Sequence, residues 1–140
     1  RENKDNKAIL KGLEDGTIDV IVSSHEPQDE ESKKLEFDLA DFGMISLQTV
    51  APDIVRMSEN VRMDQLIEGL TKRPRELLGL DQTGLEEGEE ANLTLLDPNK
   101  TWVLNSRSSK SKSKNSPHWD KELKGKVVAT IHGKESFIDL

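Results

Sequence analysis

The sequence predicts an α/β protein in which a part with helices and one buried strand, residues 1–80, precedes a part made of short strands, residues 81–140. Two observations predict this order. Apolar residues follow a helical spacing before Gly79 and alternate with polar residues after it. Residues 17–23 are rich in β-branched side chains and apolar on both faces, which is typical of a parallel strand covered by helices.

The composition limits the possible functions. Of 140 residues, 33% are hydrophobic and 34% are charged, which suits one modest core in a folded chain. The lack of cysteine excludes disulfides, thiolate catalysis and cysteine-ligated metal sites. A net charge of −7 opposes a general attraction to nucleic acid or anionic lipid. The sequence lacks an apolar run of about 20 residues, so a membrane span is not expected. A cytoplasmic protein is expected instead.

The first expected element is a helix over residues 7–13, whose apolar residues recur at three- and four-residue spacing. Asp15 and Gly16 end this helix before the strand at 17–23. The charged segment 24–42 is longer than an ordinary connection in a compact domain, which indicates a functional or a disordered loop.

Helical spacing returns at residues 45–57, where Pro52 is expected to interrupt the helix. Asp64 is the expected N-cap of a helix over 65–70. Another short helix is expected between Pro74, at a first helical position, and Gly79, which follows the last helical residue.

Short strands are expected next. The acidic residues 86–90 predict a solvated turn, and residues 91–97 predict a strand that ends at the sequence Asp97-Pro98-Asn99. Residues 101–104 predict a second strand. The two tryptophans, Trp102 and Trp119, are expected to pack in the core.

A hairpin is expected near the end of the chain, because residues 126–131 and 135–138 flank a short turn that contains Gly133. Neither part of the chain looks self-sufficient, since one parallel-type strand does not form a sheet and a few short strands form a marginal one. The apolar strand around Val20-Ile21-Val22 is therefore expected to pair with other polypeptide. Because the chain begins at Arg1, we expect a processed product, a recombinant fragment or the remainder of something longer.

Six stretches match one enzyme family in sequence and in order, from about residue 8 to residue 138. They are LKGLEDGTIDVI at 10–21, FGMISLQT at 42–49, PRELLGL at 74–80, ANLTLLDP at 91–98, SKSKNSP at 111–117 and LKGKVVAT at 123–130. Together they resemble the carboxyl-terminal part of a dihydroorotase of the amidohydrolase superfamily. The resemblance implies a (β/α)₈ TIM barrel that hydrolyses or closes the dihydroorotate ring in pyrimidine biosynthesis with one or two zinc ions.

This resemblance assigns each part of the chain a place in the family fold. Residues 1–80 would supply the last barrel strand and its helices, and residues 81–140 the later strands of a small β-sandwich. The metal-binding H-x-H motif, the carboxylated lysine and two further histidines of the family lie upstream. We therefore expect no metal ligand in this chain, although zinc is expected in active members of the family.

One catalytic motif of the family falls inside the chain. The family reads T-D-H-A-P-H where this sequence has Ser23-Ser24-His25-Glu26-Pro27-Gln28. Ser24 stands at the aspartate that binds metal and transfers protons, and an alcohol does not do this work unaided. Gln28 replaces a histidine that helps to hold the substrate carboxylate. The resemblance thus implies no catalytic residue here, and a weakened enzyme or a pseudo-enzyme with a structural role.

Other residues at this site have expected roles. Phe42 and Gly43 match the family's substrate-side loop, where glycine lets the backbone approach the ligand. His25 is expected to be structural, because it lacks a neighbour at metal-ligand spacing. His118 and His132 are expected to be solvated.

Two alternatives remain open. The first is an active zinc-dependent cyclic amide hydrolase whose other catalytic residues lie upstream, with Glu26 or Asp29 taking over proton transfer. The weaker one is nucleic-acid binding through the basic loop, residues 107–114, with cations at Arg107, Lys110, Lys112 and Lys114. A structural loop is favoured over that reading, since aromatic residues are not interleaved with the cations. Expected partners are the remainder of its own barrel or a second copy, and family members also assemble with aspartate transcarbamoylase.

Overall fold

The computed structural model describes residues 2–139, and in that part of the chain helices precede a sheet. In chain order the elements are α1 Asn3–Glu14, α2 Glu30–Lys33, a 3₁₀ turn Leu47–Thr49, α3 Val50–Met57, α4 Met63–Leu70, α5 Lys72–Leu77, β1 Asn92–Val103, β2 Glu122–His132 and β3 Glu135–Ile138. The predicted order of a helical part and a strand part is confirmed. Within residues 2–139, a helix long and apolar enough to cross a membrane is not found.

The first core lies between α1, α3 and α4. Its buried members are Leu13, Ile54, Val61 and Leu66. The helix predicted over residues 7–13 is confirmed as the middle and end of α1, which places Leu13 in this core because the apolar residues share one face. At the start of α1, the Asp5 carboxylate accepts the backbone N–H of Glu2 at 3.1 Å and so satisfies a free helical donor.

Three details of the predicted helices are wrong. Pro74 is not at a first helical position, because it is the third residue of α5. Pro52 does not interrupt the helix at 45–57, because it is the third residue of α3. The first-turn amides of a helix have no intrahelical acceptor, so the missing N–H of proline removes no hydrogen bond there. Asp64 is not the N-cap of α4, which begins at Met63, and its carboxylate instead accepts the Gln65 N–H at 3.0 Å inside the first turn.

The strand predicted at residues 17–23 is absent from the described residues, where this segment joins no ladder. Its amides bond to helical segments instead: Ile18 donates to the Gly12 carbonyl at 2.8 Å, and Ile21 donates to the Gly69 carbonyl at 2.9 Å. Val22 faces outward and is 72% exposed. A strand requires a neighbouring strand, and in the described residues this segment bonds to helical residues instead.

The sheet is antiparallel, in the order β1-β2-β3. The two strands predicted at 91–97 and 101–104 are one strand, β1, and the prediction that Asp97-Pro98-Asn99 ends it is wrong. The register shifts between Asp97 and Thr101, and the Asp97 carboxylate accepts the amides of Asn99 and Lys100 at 2.8 and 3.2 Å. This irregularity accommodates Pro98, which has no amide to give to a ladder, so the strand continues beyond it.

The predicted hairpin is confirmed. His132 of β2 pairs with Glu135 of β3 across a two-residue turn, and Gly133 takes the left-handed φ of +57° that such a turn requires. His132 is exposed, as expected, whereas His118 is half-buried rather than fully solvated.

The second core joins both parts of the chain. Its buried residues are Ile45, from the segment before α3, Leu104, which directly follows β1, and Leu123, from the start of β2. Trp102 and Trp119 pack against them, which confirms their predicted place in the core. Residues 42–47 are thereby held against the sheet, and this fixes one side of the candidate site.

Candidate functional site

Two segments that are distant in sequence run side by side. They are residues 23–28, here called the catalytic-type loop, and residues 42–47, here called the facing segment. His25 and Met44 form a parallel bridge, in which the Glu26 amide donates to the Met44 carbonyl at 2.9 Å. The Ser46 hydroxyl donates to the Ser23 carbonyl at 2.5 Å. The residues singled out in the sequence, Ser24, Gln28, Phe42 and Gly43, therefore belong to one pair of contacting segments.

His25 holds these segments together. Its Nδ1 accepts the backbone amides of Ser46 at 3.1 Å and Leu47 at 3.2 Å. Since Nδ1 acts as an acceptor, the ring proton lies on Nε2. The ring borders a cavity of about 120 Å³, together with Ile45 and Lys110. These bonds agree with the structural role predicted for His25.

Ser24 has an uncommon backbone conformation. Its φ is +47°, in the left-handed region that costs a residue other than glycine about 1 to 3 kcal/mol unless its surroundings impose it. Aspartate and asparagine enter this region more readily than other residues with a side chain. Ser24 is exposed. A hydroxyl therefore stands at a backbone position that favours aspartate, a residue with a carboxylate.

Gln28 contacts the facing segment through its amide. Its Nε2 donates to the Phe42 carbonyl at 3.0 Å, and the Phe42 ring is 93% exposed. The Gln28 side chain is neutral and already bonded, so it offers a weaker partner to a carboxylate than a protonated histidine would.

Gly43 is required by its surroundings. Its φ is +110°, and a Cβ added to it would lie 2.7 Å from the Glu26 Cβ and 2.9 Å from the Glu26 Oε2. A larger residue therefore meets both a strained backbone and a steric clash. Gly43 thus lies close to Glu26 of the catalytic-type loop, and its predicted approach to a ligand stays a prediction.

Sequence reasoning missed Asn115, which joins both segments. Its Nδ2 donates to the carbonyls of Glu26 at 3.0 Å and Gly43 at 3.2 Å, and its Oδ1 accepts the Gln28 amide at 3.3 Å. Lys33 was also missed, and its Nζ donates to the Asp41 and Gly43 carbonyls. The only signal for Asn115 was its place at the end of the Ser-Lys-Ser-Lys-Asn sequence matched above.

The two acidic residues considered for proton transfer differ in position. The Asp29 carboxylate accepts the backbone amide of Ser32 at 2.6 Å and its hydroxyl at 2.7 Å, and so caps α2. These hydrogen bonds, the backbone one first, hold the pKa of Asp29 below its ordinary value. Glu26 instead extends over Gly43, so of these two carboxylates it is the one directed at the facing segment.

The basic loop, residues 107–114, is fixed to the 3₁₀ turn. Gln48 accepts the Lys110 amide at 2.6 Å through its Oε1 and donates to the Ser108 carbonyl at 3.1 Å through its Nε2. The Lys110 Nζ lies 5.8 Å from the centre of the Phe137 ring, within reach of a cation–π contact. The basic loop is thus bonded to the rest of the chain, which agrees with the prediction of a structural loop.

The donor set of the catalytic-type loop does not fit zinc. Within residues 2–139, three or more histidine, aspartate or glutamate side chains do not converge on one point. In the loop itself, Ser24 offers a neutral hydroxyl and His25 has its Nδ1 bonded to two amides. Any zinc chemistry would therefore need ligands from other polypeptide.

Comparison with known proteins identifies relatives by sequence. A dihydroorotase of Pelobacter propionicus is 41% identical over 133 residues, and one of Aquifex aeolicus is 38% identical over 134 residues. Each match covers 94% of this chain and 31% of the relative, so the chain spans about a third of the length of these relatives. A search against protein-family models finds no match.

Comparison with solved structures identifies proteins that share the fold of this chain. The L-hydantoinase (dihydropyrimidinase) of Arthrobacter aurescens matches with a TM-score of 0.82 at 23% identity, over 99% of this chain and 33% of that protein. The D-hydantoinase (dihydropyrimidinase) of Thermus sp. matches with a TM-score of 0.80 at 19% identity, over 99% and 32%. At this level of identity the likeness shows a shared fold.

Proposed function

This chain is a sequence relative of the dihydroorotases, and from that relation we propose that it is the carboxyl-terminal portion of a dihydroorotase-like amidohydrolase with impaired catalysis. In this proposal residues 17–23 take the place of the last barrel strand, and the sheet β1-β2-β3 is part of the small sandwich. The likeness to about a third of each hydantoinase supports that placement.

One observation carries the impairment: a hydroxyl stands at Ser24 in a loop that is otherwise held in place. His25, Glu26 and Gln28 bond to the facing segment or to Asn115. Proton transfer to or from a reacting water requires a group that both holds and releases a proton near neutral pH. A carboxylate does so, and a serine hydroxyl without a base does not, so the loop keeps its frame and lacks its proton carrier.

Gln28 supports the same proposal from the substrate side. Dihydroorotate carries a carboxylate, which a charged donor binds more strongly than a neutral amide does. Because Gln28 already donates to the Phe42 carbonyl, weaker binding of the acidic ring is expected together with slower chemistry.

A chimera tests this proposal. Residues 8–138 replace the corresponding third of the Pelobacter propionicus dihydroorotase, which then supplies the other two thirds. We expect hydrolysis of dihydroorotate to fall at least about 100-fold, the usual contribution of a positioned proton-transfer group. Introducing Ser24→Asp with Gln28→His is expected to raise the turnover of the chimera by at least about tenfold. The turnover of each chimera is measured as kcat and KM.

The control is the same chimera with Ser24→Asn and Gln28→His, because asparagine also tolerates the left-handed backbone but carries no proton. Bound zinc equal to that of the unmodified host shows that the metal site has formed. Impairment is refuted if the chimera with Ser24 turns over at the host's rate, or if the asparagine variant recovers as much activity as the aspartate variant.

The alternative is an active cyclic amide hydrolase in which Glu26 transfers the proton. The specific observation in its favour is that Glu26 lies over Gly43, whereas Asp29 is used to cap α2. If the chimera with Ser24 is active, Glu26→Gln in that chimera should remove most of its turnover, and Asp29→Asn should not.

We also propose that the chain acts together with other polypeptide, first the remainder of its own barrel and otherwise a second copy. Large apolar side chains are exposed, among them Phe42 at 93%, Leu77 at 75% and Val22 at 72%. A groove of about 920 Å³ between the helices and the sheet is lined by further apolar residues, including Ile54, Leu70, Trp102 and Val127. Apolar surface of this extent marks an interface in most soluble proteins.

This association is measurable on the chain by itself. In sedimentation at increasing concentration, the 140-residue chain is expected to self-associate, because its apolar surface lacks its natural cover. A monodisperse and stable monomer over the whole concentration range would contradict the proposal.

A further inference from the structure

We propose that Asn115 is a positioning residue that sets the spacing between the catalytic-type loop and the facing segment. The inference deepens the proposed function and rests on it only in taking these two segments as the site. What is new is the source of the positioning, which is the β part of the chain, 87 residues away from Gln28.

The side chain of Asn115 lies between backbone groups of both segments. On the loop side it accepts the Gln28 amide at 3.3 Å and donates to the Glu26 carbonyl at 3.0 Å, and on the other side it donates to the Gly43 carbonyl at 3.2 Å. Both amide hydrogens and one acceptor site are thus in use. Because all three partners are backbone groups, the contact does not depend on which side chains stand at positions 24, 26 and 28.

Asn115 is itself held by the second core. Its carbonyl accepts the Ile45 amide at 3.0 Å, and Ile45 is buried against Leu104 and Leu123. A parallel bridge joins Leu104 to Trp119, four residues beyond Asn115. The Asn115 main chain is therefore anchored beside the second core through Ile45 of the facing segment, and its side-chain amide bonds to both segments.

This arrangement explains why the frame of the loop is kept although Ser24 and Gln28 differ from the family motif. The frame depends on His25 and Asn115, whose partners are main-chain atoms. Asn115 also gives a function to the SKSKNSP sequence, which brings an amide to the site rather than a cation.

Hydrogen exchange on the full chain, followed by mass spectrometry with residue resolution, tests the proposal without any need for turnover. Asn115→Ala is expected to raise the exchange rate of the Gln28 amide, which loses its acceptor, by about tenfold, the change expected when one or two net hydrogen bonds are lost. The Glu26 amide, which donates to the Met44 carbonyl, is expected to exchange faster as well, because the two segments separate. The amide of Leu66 in the first core is expected to keep its protection.

Two further variants make the test specific. Asn115→Asp keeps the acceptor for the Gln28 amide and loses both donors, so Gln28 should stay protected. The Glu26 amide, which donates to the Met44 carbonyl of the facing segment, should exchange faster because the donors that hold the segments together are lost. Asn105→Ala is the matched control, because within residues 2–139 the Asn105 side chain bonds to the nearby amides of Arg107 and Ser108 and to neither segment of the site. It should leave both site amides unchanged.

The proposal is overturned if Asn115→Ala leaves Gln28 and Glu26 at their original rates, or if it accelerates Leu66 to the same extent, which would indicate general destabilisation. It is also overturned if Asn115→Asp exposes Gln28 as fully as Asn115→Ala does. Failure of the dihydroorotate chimera leaves these exchange results unchanged, so the two proposals fail separately.

Discussion

Replacing Leu66 with alanine is expected to lower the free energy of unfolding by about 3 to 4 kcal/mol. Leu66 is 0% exposed and lies in the first core with Leu13, Ile54 and Val61. Truncating a fully buried leucine removes its transfer free energy and leaves a cavity, and the two together cost about 2 to 5 kcal/mol. Urea unfolding followed by circular dichroism measures the change.

Ile67→Ala is the matched control, since Ile67 is the next residue of α4 but is 45% exposed. Its loss is expected to be about 1 kcal/mol or less, because less apolar surface leaves water on folding. Equal effects of the two substitutions would mean that α4 does not present the Leu66 face to the core.

The sequence predicted those elements whose signal is local. The helical spacing before Gly79 identified α1 and α3, and the Gly133 turn identified the hairpin β2–β3. Pro52 and Asp64 were misplaced because the first turn of a helix accepts both residues at several positions. The prediction of a strand at 17–23 was wrong for another reason. Pairing depends on a neighbouring strand, and the composition of one segment does not say whether such a strand is present.

The candidate site was predicted through the resemblance alone. Ser24, Gln28, Phe42 and Gly43 were found because the motifs around them match a family, and the structure places them on two contacting segments. Asn115 was missed because its contacts span 72 to 89 residues, and such tertiary bonds leave no periodic pattern in the chain. For Gly43 the resemblance predicted an approach to a ligand, and it gave no sign of the contact with Glu26.

The contact between α3 and the sheet predicts the second large effect. Gly125 of β2 has a φ of +99°, and a Cβ added there would lie 2.7 Å from the Val55 Cγ2. Its carbonyl also accepts the Trp102 indole N–H at 2.9 Å, so the backbone has little freedom to move. Gly125→Ala is expected to lower the free energy of unfolding by about 3 to 5 kcal/mol, the sum of backbone strain and overpacking. The change is read from urea unfolding.

Gly88→Ala separates these two causes. Gly88 has a similar φ of +96°, but a Cβ added there meets no atom within 4 Å, so its substitution carries the strain without the clash. A loss of about 1 to 3 kcal/mol is expected for it. Val55→Ala should then reduce the cost of Gly125→Ala in a double-mutant cycle, because the smaller side chain makes room for the new methyl group. If Gly125→Ala and Gly88→Ala cost the same, or if the cycle shows no coupling, Val55 does not pack on this glycine, and α3 is not seated on the sheet as described.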